Sequence, residues 1–124
     1  MPHPRCKALL AAAALLAVAC ESSGPGGPTA LGLTIQSPHG AEGAALISLV
    51  GPVDSVTRTA PGWLLAHRVA DTTWVFAGLE TAGILRFTVH VGGDGRLDGA
   101  SLVEVSGPDD APRADPDRYR LDIR

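Results

Sequence analysis

From residue 30 to the last residue, apolar side chains recur at every second position in short runs, and turn-forming residues separate the runs. Period two is the repeat of a β-strand with one buried face. Leu31, Leu33 and Ile35 alternate with small or polar residues and predict a half-buried strand. Residues 37–43 read as a loop. Residues 44–50 are apolar on both faces, which suits a central strand, and Gly51-Pro52 ends them. Residues 53–59 fit either a short strand or an irregular connection. Trp63, Leu65, His67 and Val69 then share one side of a segment that turns at Ala70-Asp71 into residues 72–77, predicting a hairpin. Residues 78–83 read as a connection. Residues 84–91 alternate most clearly, with Leu85, Phe87, Val89 and Val91 facing one way and Arg86, Thr88 and His90 the other. Gly92-Gly93-Asp94-Gly95 is a turn. Residues 100–106 form the next strand, with Val103 and Val105 inward. A loop rich in Pro and Asp covers 107–116, and Tyr119, Leu121 and Ile123 mark a last strand.

No segment in this region carries an apolar stripe of helical period. Seven or eight short, mostly antiparallel strands with regularly spaced turns predict an all-β domain, a small β-sandwich, over residues 30–124. A small barrel is the alternative. With no cysteine after Cys20, packing and sheet hydrogen bonds must supply the stability.

The first part of the chain follows another rule. Arg5 and Lys7 precede an unbroken run of Ala, Leu and Val from 8 to 19. That run is shorter than the roughly 20 residues a helix needs to cross a bilayer. A basic head, a short apolar core and small residues before a cut describe a secretory signal peptide over residues 1–19. Leu16-Ala17-Val18-Ala19-Cys20 resembles the bacterial lipobox, in which small residues precede a cysteine that is acylated and becomes the first residue of the mature chain. The resemblance implies a lipoprotein with Cys20 as lipidation site, palmitate-type acyl chains, and the lipid bilayer as a partner. Ala17-Val18-Ala19 also fits an ordinary A-x-A cleavage site, which would give a freely secreted protein with an unpaired thiol. Residues 20–29, rich in Gly, Pro and Ser, read as a flexible tether. The nine residues from Glu21 to Thr29 span roughly 30 Å when extended. Glu21, rather than Asp, follows the cysteine; by the sorting rule of enteric bacteria this points to the outer membrane.

Charge narrows the partners. The full chain carries −3; loss of Arg5 and Lys7 leaves eight Arg against thirteen acidic side chains, or −5, and no Lys. A mildly acidic domain without a basic patch argues against nucleic acid. Sharper chemistry finds little support. Gly93-Asp94-Gly95-Arg96-Leu97-Asp98 resembles the middle of a dockerin or EF-hand calcium loop. In that frame His90, Gly92 and Ser101 stand at positions one, three and twelve, where oxygen ligands are needed. His39, His67 and His90 lack zinc-ligand spacing. There is no Gly-x-Ser-x-Gly elbow or activated cysteine, and Asp109, Asp110, Asp115 and Asp117 read as solvated loop residues. No metal, cofactor or catalytic site is expected.

Ala44-Ala45-Leu46-Ile47-Ser48-Leu49-Val50 leading into Val53-Asp54-Ser55-Val56, and later Gly83-Ile84-Leu85-Arg86-Phe87-Thr88-Val89, resemble a cohesin-like or carbohydrate-binding-module-like sandwich. The resemblance covers residues 30–124. It implies a non-catalytic module that binds a protein or a cell-envelope glycan; the alternative is a structural subunit of an envelope complex, its terminal strand near residues 119–123 pairing with a partner. Trp63 and Trp74 are the candidate ligand-binding residues. With two Phe and one Tyr to share the burial, at least one Trp is expected in the core, the alternative being a platform for sugar rings.

Overall fold

The structure is a computed structural model that describes residues 27–124. The expected signal peptide, Cys20 and the tether as far as Gly26 lie outside the described residues.

Among the described residues eight strands follow in chain order: β1 (Thr29–Gln36), β2 (Glu42–Val50), β3 (Val53–Arg58), β4 (Gly62–Val69), β5 (Thr72–Gly83), β6 (Arg86–Val91), β7 (Gly99–Ser106) and β8 (Arg120–Ile123). A 3-10 turn, Pro116–Arg118, precedes the last. Every pairing is antiparallel. The strands form two four-stranded sheets, ordered β3-β6-β1-β8 and β4-β5-β2-β7. This is the sandwich expected from the period-two pattern, and not the barrel.

The core lies where the inward rows meet. Leu33 and Ile35 of β1 and Phe87, Val89 and Val91 of β6 face Ala45, Ile47 and Leu49 of β2 and Val75 and Ala77 of β5, all buried. Burial on one sheet face of alternating rows is what fixes register, since a one-residue slip would turn each row to water. The doubly apolar 44–50 run becomes β2, an inner strand between β5 and β7.

Two expectations need correction, and one open alternative is decided. β5 runs through the expected connection to Gly83, because Gly78 and Leu79 continue the ladder opposite Trp63 and Gly62 of β4, and Gly83 pairs with Glu42 of β2. Val103 is not inward but 42 % exposed: β7 slips register against β2 between Leu46 and Ile47, and the extra residue reverses the alternation. Of the two readings left open for residues 53–59, the strand is the one observed, over Val53–Arg58.

The two ends of the sandwich differ in role. At one end Thr29 pairs with Val91, and the 51–53, 69–72 and 92–99 turns gather, joined by Gly51 N–H to Asp71 C=O at 2.9 Å and Gly92 N–H to Pro52 C=O at 2.7 Å. The first described residues therefore enter the sandwich at this end. The 37–41 and 107–119 loops occupy the opposite end, about 26 Å away for eight residues of strand.

Candidate binding face

The outer face of the β4-β5-β2-β7 sheet is apolar where a soluble sandwich ordinarily places polar residues. β4 turns Trp63, Leu65, His67 and Val69 outward, and β5 turns Trp74 and Phe76 outward. Register brings them together in rungs: Trp63 opposite Gly78, Leu65 opposite Phe76, His67 opposite Trp74. β2 continues the rungs with Ala44 beside Gly78, Leu46 beside Phe76 and Ser48 beside Trp74. Trp63 is 48 % exposed and Trp74 37 %.

Neither tryptophan is in the core, which corrects the expectation for at least one of them. The reason is parity. Both stand at outward positions of strands whose inward positions are filled by Leu64, Val75 and Ala77. The core is made of aliphatics and the single buried aromatic Phe87.

Gly78 shapes the platform. A Cβ at that position would lie 2.2 Å from Trp63 Cε2, 2.3 Å from Cζ2 and 2.6 Å from Nε1. The indole therefore lies across the Gly78 backbone, where only glycine leaves room. Beside Phe76, the side chains of Ala44, Leu46, Glu104 and Ser106 line a shallow depression of ≈ 80 Å³. Carboxylates occur only at the margins, Glu80 at one end and Glu104 on β7. Such a surface offers apolar contact and ring stacking to a ligand's C–H groups or apolar side chains.

A second cluster sits at the end of the sandwich away from Thr29. Glu42, read from sequence as a loop residue, opens β2 and is 1 % exposed. Ser37 Oγ donates to its Oε2 at 2.5 Å, the Tyr119 hydroxyl donates to the same oxygen, and Arg113 Nε donates to Oε1 at 3.0 Å. Burial pushes the Glu42 carboxyl up, but these three bonds and the guanidinium charge outweigh it, holding the group below its ordinary range. Tyr119 is raised by burial and by its bond to Glu42, and Arg113 by its bond to Glu42. Outside this, His39 Nε2 meets Asp115 Oδ2 at 3.0 Å, Arg118 meets the same oxygen at 3.3 Å, and the His39 ring is tilted 5.9 Å from Tyr119. Asp115 is held low chiefly by the His39 bond, so it is not the purely solvated residue expected. The cluster fastens the 107–119 loop to the β1–β2 loop. Held ionised and bonded on both oxygens, Glu42 is suited to fastening and not to proton transfer at neutral pH.

The remaining singled-out residues are scattered. His90 Nε2 meets Thr57 Oγ1 at 3.2 Å on the outer face of the other sheet, and His67 lies beside Trp74. In the 92–95 turn Gly93 and Gly95 adopt positive φ, +60° and +77°, and Asp94 Oδ1 accepts from Arg96 N–H at 3.2 Å. Among the described residues no three His, Cys, Asp or Glu side chains gather as metal ligands do. Compared with known proteins, the chain matches no family model, no curated protein and no solved structure.

Proposed function

We propose that this is an exported lipoprotein, anchored to the bacterial cell envelope through Cys20 and directed to the outer membrane, that presents a non-catalytic, cohesin-like sandwich for binding a protein or a cell-envelope glycan. The observation that carries the binding reading is the shared outer face of Trp63, Leu65, Trp74 and Phe76. Exposed aromatic groups gathered on one rigid sheet mark an interaction surface more often than chance exposure does. The anchor reading rests on the residues around Cys20, and it agrees with a tether that reaches the end of the sandwich remote from Glu42.

Two experiments test this. Intact mass of the protein from its native membrane, beside a Cys20→Ser form, should give a mature chain starting at Cys20 and carrying acyl groups. An unmodified mass in the soluble fraction would replace the anchored protein by a secreted one. Incubation with the source organism's envelope fraction should deplete the wild-type domain from solution and leave a Trp63→Ala/Trp74→Ala form behind.

A second reading, a structural subunit that assembles by strand addition, is favoured by the open margins of both sheets. The terminal strand expected to serve this is β8, whose inner side is already bonded to β1 through four residue pairs.

A further inference from the structure

The four marginal strands are not alike. An open margin presents unpaired backbone donors and acceptors, and proteins blunt it with shortness, bulges, charge or a covering loop. β8 has four residues. β7 is bulged, and its outer side is covered by the C-terminal loop, where Arg113 N–H donates to Val105 C=O at 2.8 Å and Ser106 bridges to Pro112. β3 slips register beside Asp54 and is largely polar. β4 has none of these features. Its eight residues pair with β5 without a break, and its one formal charge, Arg68, is turned aside to the carbonyls of Val53 and Ala70, each at 3.0 Å.

The open groups can be assigned. Glu80 N–H donates to Pro61 C=O at 3.0 Å. Antiparallel bonding alternates along a strand, so Trp63, Leu65 and His67 bond toward β5, while Gly62, Leu64, Ala66 and Arg68 point their backbone groups away. The Gly62 carbonyl is taken by the Arg58 guanidinium. No loop or side-chain bond among the described residues reaches the main chain of Leu64, Ala66 or Arg68. The open set is centred on Ala66 and extends equally to either side.

We propose that β4 pairs antiparallel with β4 of a second copy about a twofold axis at Ala66. This rests on the strand-addition reading and moves it from β8 to β4. A symmetric set of donors and acceptors is matched in full by its own rotated copy, as an isologous interface requires. In this register Leu64 stands opposite Arg68 of the second copy, and on the outer face Leu65 meets His67 and Trp63 meets Val69, so no like charges oppose. The two sheets become one of eight strands, and the two aromatic faces become one platform. A single strand pair buries less than the roughly 1,000 Å² of a stable interface, so the pairing is reversible and grows with concentration.

The test uses the mature chain with Cys20→Ser, which removes acyl-driven association and every native thiol. In sedimentation velocity the wild-type domain should pass from monomer to dimer as concentration rises. Ala66→Pro removes an N–H that faces away from β5, so the ladder stays intact; the dimer should be lost while melting remains cooperative. Ala66→Cys should cross-link across the axis, where facing Cα atoms lie about 5.5 Å apart, faster than Val103→Cys on the exposed β7 bulge. A wild-type domain that stays monomeric, or equal cross-linking at both positions, overturns the proposal. Assembly that Ala66→Pro leaves unchanged refutes pairing through β4 while leaving strand addition at another margin standing. Should Ala66→Pro fail to fold, the cross-linking comparison decides.

Discussion

Replacing Glu42 by Gln should weaken the domain strongly for a change of one atom. The carboxylate has both oxygens engaged: Oε2 accepts from Ser37 and Tyr119, and Oε1 from Arg113. Gln keeps the shape but carries one acceptor oxygen, and it removes the charge from all three bonds. Bonds to charged groups contribute about 1.5–3 kcal/mol and neutral ones about 0.5–1.5, a gross loss of about 3 kcal/mol. Relief of the burial cost of a charge returns part of this, for a net loss of about 2 kcal/mol. At about 4 °C per kcal/mol for a domain near 100 residues, the melting temperature should fall by about 8 °C. The dependence on pH identifies the cause. The folded-state pKa of Glu42 is depressed, so its contribution is fully present above the ordinary value of 4.5 and is lost as pH falls through the folded value. Thermal melts of wild type and Glu42→Gln at a series of pH values should therefore differ most near neutrality and converge in acid. Asp115, also depressed, is common to both proteins and cancels in the difference. Equal melting near neutrality, or a gap that does not close in acid, would refute a stabilising buried charge.

Other perturbations separate core from face. Phe87→Ala should cost about 3–5 kcal/mol in urea unfolding, because Phe87 is the one aromatic sealed between the sheets. Trp63→Ala and Trp74→Ala should each cost only about 1–2 kcal/mol, since much of each ring is already in water. Gly78→Ala should drive the Trp63 indole off the sheet, read as a red shift in tryptophan emission together with weaker retention on the envelope fraction. Asp115→Asn should speed amide exchange in the 107–119 loop while leaving the protection of β2 and β5 unchanged.

The fold was legible because its information is local. Alternation at Leu85, Phe87, Val89 and Val91, double apolarity over 44–50, and turn residues at 51–52, 70–71 and 92–95 each act over a few residues, and strand geometry reads them directly. Where the structure departs, the cause is a partner distant in sequence. The bulge that exposes Val103 is set by pairing with Leu46 and Ile47. β5 extends past Ala77 because β4 lies alongside. The tryptophans illustrate the same limit. Parity put Trp63 on one side with Leu65 and His67, as observed, but only the sheet order shows that this side faces water. Glu42 left no signal at all: Arg113 and Tyr119 are 71 and 77 residues away, and a Glu between Gly40 and Gly43 looks like any loop acid. Asp115 gives no local signal for the same reason, its partner His39 lying 76 residues earlier.

Binding through the aromatic face is tested most directly by depletion from solution. Wild-type protein and the Trp63→Ala/Trp74→Ala form, both with Cys20→Ser so that no acyl chain intervenes, would be mixed with the source organism's isolated envelope and the protein left in solution measured. A binding face predicts depletion of the wild type and retention in solution of the double variant, with both melting cooperatively. Equal depletion, or none of either, would contradict a binding role for the β4–β5 face.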